Sequence, residues 1–522
     1  MRGSVVALSA VVLFVGSAPA WADPAGEREM AARIDALLAE GWARERVEPA
    51  PLSSDAEFLR RAWLDLCGII PPINDPDAIS GIRNFLASTD QDKRQKLIER
   101  LLAKPTHAAH FANVWRNELL PPDVNVQQFG GDIGFQTWLR GQFADNVPYD
   151  KLIADLVLAR GQANQTGPAL FFTALQLKPE ELAASTSRVF LGTQIQCAQC
   201  HDHPFDHWKR KDFWGYAAFF ARLQRPPRYP QNTGLVIDAE EGEVTLPDAD
   251  ETVAPRFLGG DESGDKVGQS RRQQLAAWLT WPENPYVARA AVNRVWALLF
   301  GRGIVHPVDD LGAHNPPSHP QLLEELAAYF VRTGYDVNCL LRTLAATRAY
   351  QLSSQSLPDV EDRPELFARM SIKSLTAEQL YDCLIEAMRR REANLAGQGT
   401  FNRNVDQARQ AFLARFRAPS QGATEYEGGI PQALTLMNGA NIRQATDLGQ
   451  SDLLVALDAP FFSNQRRLEV LFLSTLSRQP TDDERTRFLA YVELGGTNNN
   501  SKQALGDVLW ALLNSAEFVL NH

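Results

Sequence analysis

The sequence has 522 residues, 44% hydrophobic and 22% charged, enough for a sizeable core and two or three domains. Its formal net charge of −11 argues against nucleic acid or anionic lipid as a partner. Five cysteines, an odd and sparse set, do not make a disulfide framework.

Residues 1–22 read as a signal peptide. Arg2 supplies the positive start, Val5 to Val15 the apolar run, and Ala20-Trp21-Ala22 the small-x-small cleavage pattern. Its removal takes Arg2 away and leaves a charge of −12. The apolar run is too short to span a bilayer, and no later segment reaches about 18 uninterrupted apolar residues. The mature chain is therefore expected to be exported, to the periplasm, cell envelope or extracellular space, with no integral membrane segment.

A helical first domain is expected over 23–223. Residues 27–46 place Ile34, Leu37 and Leu38 on one face, and residues 55–66 follow through Phe58, Leu59, Trp63, Leu64 and Leu66 until Gly68 and Pro71-Pro72 stop them. A third helix runs over Lys96 to Leu102 and ends at Pro105. Thr106 is expected to cap the next, which carries Phe111, Val114, Trp115 and Leu119. Residues 133–159 give two short helices around Pro148-Tyr149-Asp150. Pro179 opens a helix bearing Leu182, Val189, Phe190, Leu191 and Ile195 that is expected to lead directly into Cys197. Phe213 to Phe220 read as one more.

Residues 224–268 are rich in Pro, Asp, Glu and Gly and read as a connector with a few short strands, such as Gly234 to Ile237 and Glu243 to Leu246. Helices resume at Arg271, in a second domain over 269–522. Asn284 to Phe300 is a strong helix closed by Gly301, and Ser318 is expected to cap the helix beginning at Pro320. Thr376 with Gln379, and Thr481 with Glu484, form two capping boxes. The Gly- and Asn-rich stretch 395–405 and the loop Ala423 to Gly429 are expected to be exposed; Glu425, Tyr426 and Glu427 there are more simply acidic surface than ligand contacts. The fold class is mostly α, two helical domains joined by an irregular connector with a few short strands.

The chemistry concentrates in Cys197-Ala198-Gln199-Cys200-His201, continuing through His203, Asp206 and His207. Two thiols and three of the nine histidines fall within eleven residues. C-x-x-C-H is the spacing for c-type haem attachment: Cys197 and Cys200 would form thioethers and His201 would offer a nitrogen to the iron. The competing reading is zinc or another divalent metal held by Cys197, Cys200, His203 and His207, two thiolates and two imidazoles for a closed tetrahedral site. The bland reading is a Cys197–Cys200 disulfide beside surface histidines. Cys67, Cys339 and Cys383 sit among apolar residues and read as core side chains. A sixth iron ligand is unspecified; His306, His314, His319 or Met437 reach the iron only if the second domain folds over the first.

Asp309, Asp310, His314 and His319, in the polar loop 305–320, are candidates for a hard-metal or acid/base site. The alternative is structural, with carboxylates capping helices and prolines fixing turns. Arg294 is expected to pair with Asp309 or Asp310 as a buried ion pair. There is no P-loop, no dinucleotide glycine motif, no G-x-S-x-G and no H-E-x-x-H, so the common nucleotide-enzyme and hydrolase classes lack support.

RRAWLDLCGIIPP (60–72) and CAQCHDHPFDHW followed by KDFWGYAAFF resemble the planctomycete cytochrome-like domain. The stretch 284–327, with RAYQLSS (348–354) and LMNG (436–439), is similar to the planctomycete domain of unknown function that accompanies it. The resemblance implies an exported, mostly helical protein. The leading functional expectation, which rests on the C-x-x-C-H spacing, is a cytochrome-like electron carrier with covalent haem c and a redox or envelope protein partner. Two alternatives accompany it: a metal-stabilised envelope binding or scaffold protein without a redox role, and an envelope polysaccharide-processing enzyme acting through the second domain.

Overall fold

The computed structural model describes residues 24–75, 77, 79–121, 124, 126, 133–224, 235–247, 249, 251–356, 363–388, 403–416, 439–448 and 451–522. Residues 1–22, expected as a signal peptide, the loop Ala423 to Gly429, Met437 and most of 395–405 lie outside the described residues. The fold is mostly helical. Among the described residues no helix is long and apolar enough to cross a membrane.

Local chemistry explains most helix ends. Helix Asp55–Cys67 starts where the Ser54 side chain accepts from the Glu57 amide and stops at Gly68, whose φ of 71° lets its N–H reach Leu64 O. Capping boxes close at Thr376/Gln379 and Thr481/Glu484, and a third at Ser270/Gln273 starts helix Arg271–Leu279. Helix Val287–Phe300 ends on left-handed Gly301.

Two expected caps are corrected. Helix Pro105–Leu119 begins with Pro105 in its first turn, so Thr106 lies inside it and Lys104 is the N-cap, with no side-chain capping bond. Helix Pro320–Arg332 takes His319 as N-cap, because the Ser318 hydroxyl is used elsewhere, donating to Ile304 O at 3.0 Å. The last predicted helix of the first half is split into Arg210–Ala217 and a 3-10 turn Ala218–Phe220.

The connector supplies Leu235–Asp238, the middle strand of a three-stranded antiparallel sheet between Gly161–Gln162 and Leu223–Gln224. Arg272 fastens it: the guanidinium meets both Asp238 oxygens at 2.7 and 2.8 Å and also donates to the carbonyls of Val157 and Ala159. The connector is thus stitched to the first half.

Buried apolar side chains form two clusters. One runs from Met30 to Met370 and includes Leu473; the other runs from Leu375 to Phe518 and includes Leu64 and Ile70. Helix Asp55–Cys67 therefore serves both cores, giving Leu59, Ala62, Trp63 and Leu66 to the first and Leu64 to the second.

Its charged residues are the joint between them. Arg60, buried, donates to the carbonyls of Thr475, Glu517 and Phe518. Arg61, also buried, donates to Tyr350 O at 2.6 Å and Leu352 O at 2.9 Å and pairs with Glu57. The Asp65 carboxylate accepts from Lys373 Nζ at 2.6 Å, Asn521 Nδ2 at 2.6 Å and Tyr350 Oη at 2.9 Å. Lys373–Ser374 pairs with Leu520–Asn521, so this knot also holds the last strand. Burial pushes the Lys373 ammonium below its ordinary pKa, with Asp65 working against that shift.

Gly68 is where the helix must turn sharply against a neighbour. A Cβ there would sit 2.4 Å from His110 Nδ1, in a left-handed backbone. Gly68→Ala is expected to destabilise the protein by roughly 2–3 kcal/mol, combining backbone strain with overpacking. Thermal unfolding followed by far-UV circular dichroism reads it, and an unchanged midpoint contradicts it.

Candidate functional site

Helix Pro179–Leu191 does not run into Cys197 as expected. It stops at Gly192, with φ of 63°, and residues 192–195 cross over before a 3-10 turn, Gln196–Gln199. The tertiary fold imposes the stop. Leu311 N donates to Gly192 O at 2.7 Å, and a Cβ on residue 192 would lie 2.4 Å from Leu311 Cδ1. Only glycine lets the polar loop come that close.

Cys197 lies in this turn and Cys200, three residues on, is its C-cap. Both are exposed and free, and no disulfide links them. The turn is pinned from below by buried Ala198 and by Trp214, whose indole N–H donates to Gln199 O at 3.0 Å. Cys67, Cys339 and Cys383 are buried, and burial pushes their thiols up to about 12, 11 and 12. The exposed pair is therefore where thiol chemistry can occur.

The three imidazoles of the motif differ in what they leave free. His201 Nδ1 is 2.7 Å from Asp202 O, a carbonyl that can only accept, so the ring proton sits on Nδ1 and the Nε2 lone pair is available. His203 is the reverse. Its Nδ1 accepts from the amides of Asp206 at 3.0 Å and Phe205 at 3.3 Å, which puts the proton of the neutral ring on Nε2. His207 Nδ1 lies 2.6 Å from Asp206 Oδ1, whose carboxylate also accepts from the His207 amide.

Asp206 is the hub of the motif's polar contacts. Its side chain is only 4% exposed, and its second oxygen faces His314 Nδ1 at 3.7 Å. His314 is held from its other side by Asp310, at 3.0 and 3.2 Å. Burial pushes the Asp206 carboxyl up, but the His207 amide and imidazole, with His314 beyond, outweigh it and hold the pKa below its ordinary value.

The second half thus folds over the first, and the cysteine motif and the polar loop form one composite site. The rings of His203 and His314 are 6.4 Å apart. Asp309 reaches the segment just before the cysteines, accepting from Gln194 at 2.8 Å and facing Arg188 at 3.5 Å.

The expected partner of Arg294 is corrected. It pairs with Glu118 at 2.6 Å, both side chains buried, because helix Val287–Phe300 turns that face toward the end of helix Pro105–Leu119. Glu118 and Arg188 were not singled out from sequence; Glu118 lies 176 residues from its partner. His319 stands apart from the composite site. It is buried beside Phe367, with ring centroids 5.7 Å apart, its Nδ1 3.2 Å from Ser318 Oγ, and burial lowers its pKa.

The donor sets fit the two candidate groups unequally. For haem, two exposed free thiols three residues apart and an imidazole with a free Nε2 are the required pieces. For a Cys197, Cys200, His203, His207 metal site, His203 does not fit, since ligation through either nitrogen requires breaking its two amide bonds or losing its remaining proton. Among the described residues no three or more His, Cys, Asp or Glu side chains converge as a metal-binding group.

Residues 33–225 match the family model described as PSCyt2, protein of unknown function (DUF1549). Residues 271–427 match the model described as PSD1, protein of unknown function (DUF1553). No curated protein and no solved structure matches the chain. The chain carries these two domains in tandem, the planctomycete-type pair.

Proposed function

We propose that the protein is an exported, cytochrome-like electron carrier in which Cys197 and Cys200 attach one haem through thioethers and His201 provides the proximal ligand. The observation that supports this best is the state of His201: Asp202 O holds Nδ1 and leaves Nε2 free, next in sequence to a pair of exposed, free thiols. Bound there, the haem supplies a one-electron iron couple. The chain's own part is to present. Cys197 and Cys200 would hold the group through thioethers, and His201 would offer its Nε2. Trp214 and Ala198 keep the turn in place, and the Asp202 carbonyl fixes the His201 tautomer. A redox or envelope protein partner is the expected electron exchange partner.

The scaffold alternative is less well supported, because His203 is engaged through its Nδ1. The polysaccharide-processing alternative loses Asp309 as a free group, since Gln194 and Arg188 hold it.

The test is to express the full chain in a host with haem-attachment machinery. The wild type is expected to show a Soret band. His201→Ala should keep covalent haem with an altered spectrum, and Cys197→Ser with Cys200→Ser should lose it. A colourless wild type carrying about one zinc that Cys200→Ser releases would support the scaffold instead.

A further inference from the structure

The cysteine turn is bracketed on both sides by one loop of the second half. Before it, Leu311 N donates to Gly192 O at 2.7 Å and Asp309 accepts from Gln194 at 2.8 Å. After it, the nearly buried Asp206 carboxylate faces His314, which Asp310 holds in turn. Between these brackets the turn also has ties within the first half. They include Ala198 N to Ile195 O, the Trp214 indole to Gln199 O, and His203 N to Trp208 O. Cys197, Cys200 and His201 are all exposed, so apolar burial does not fix them.

We propose that loop 305–315 is a splint, and that Asp309 and His314 are positioning residues that hold Cys197, Cys200 and His201 in their arrangement from the second half of the chain. This assigns the second domain a task in the site of the first. It deepens the reading above by naming what orders that site, yet it holds whichever group the thiols take. Coupling through a contiguous set of polar contacts is the physical warrant, and local opening is its observable.

Deuterium exchange on the haem-free full chain tests it, so a failure of the haem reading leaves this test intact. In Asp309→Ala, the peptide covering 195–208 should exchange about three- to tenfold faster, the scale of losing one net hydrogen bond, and in His314→Ala, which removes a 3.7 Å contact, it should exchange faster by a smaller factor. Helix Ala377–Ala387 should be unchanged, and buried Cys67, Cys339 and Cys383 should stay unlabelled by a maleimide. Asp309→Asn keeps an acceptor for Gln194 and should remain within about twofold of wild type. If the alanine variants lose the global fold, Gly312→Ala decides. Its methyl would lie 2.7 Å from Asp206 Oδ2 and 2.6 Å from His314 Cε1, driving the loop off the turn without removing a charge. Wild-type exchange over 195–208 in folded alanine variants, or in Gly312→Ala, overturns the proposal.

Discussion

Asp65→Ala is expected to lower stability by about 3–5 kcal/mol, the cost of leaving a buried partner charge uncompensated. Lys373 Nζ would keep only the carbonyls of Leu298 and Leu299, while Tyr350 and Asn521 would each lose an acceptor. The damage falls where the two cores meet, so both should loosen in one transition. Removing both charges, as in Asp65→Leu with Lys373→Met, should cost less than Asp65→Ala alone, because no unpaired ion remains. Urea unfolding followed by tryptophan fluorescence measures the difference. A shift of Asp65→Ala below about 0.5 kcal/mol would place the joint elsewhere.

Glu118→Leu is the second large effect, again about 3–5 kcal/mol, because it strips Arg294 of its buried carboxylate. Arg294 Nη1 loses its 2.6 Å partner, and Arg188 loses the carboxylate at 3.4 Å while keeping Glu118 O. Arg188 also faces Asp309, so the substitution reaches the base of the composite site as well as the core. An exposed pair offers the contrast. Asp482→Ala, which loses only its surface contact with Arg485, should change stability by less than about 1 kcal/mol. Equal effects of the two substitutions on the urea midpoint would contradict the assignment of Glu118 to a buried network.

Local signals carried the helices well. Thr376 with Gln379, Thr481 with Glu484, and Gly301 behind Phe300 are each decided by residues within one turn, so the chain states them directly. Ser318 and Thr106 show the limit, since a hydroxyl beside a helix start caps it only if no other acceptor or proline has a prior claim. Arg60, Arg61 and Asp65 were less legible still. Three charges on an amphipathic helix resemble a solvated face, but residues 285 or more positions downstream, Tyr350 and Leu352 of the first core and Lys373, Thr475 and Phe518 beyond it, cover them.

The candidate site shows the same division. Cys197, Cys200 and His201 announce themselves by spacing, and the loop 305–320 by its polar composition. Their juxtaposition does not appear in either stretch. It depends on Gly192 admitting Leu311, and on Asp206 meeting His314 across 108 residues, contacts without local periodicity. The reach of Arg294 to Glu118 rather than Asp309 has the same origin: a charge's sign is written in the sequence, but its partner is chosen by the fold.

The central claim is that the exposed Cys197–Cys200 pair takes haem covalently. Intact-mass measurement of the denatured protein, matured in a haem-attaching host, tests it most directly. The account predicts a polypeptide heavier by one haem, with the added mass on the peptide holding both cysteines and absent from the double serine variant. An unmodified polypeptide mass from that same host would contradict it.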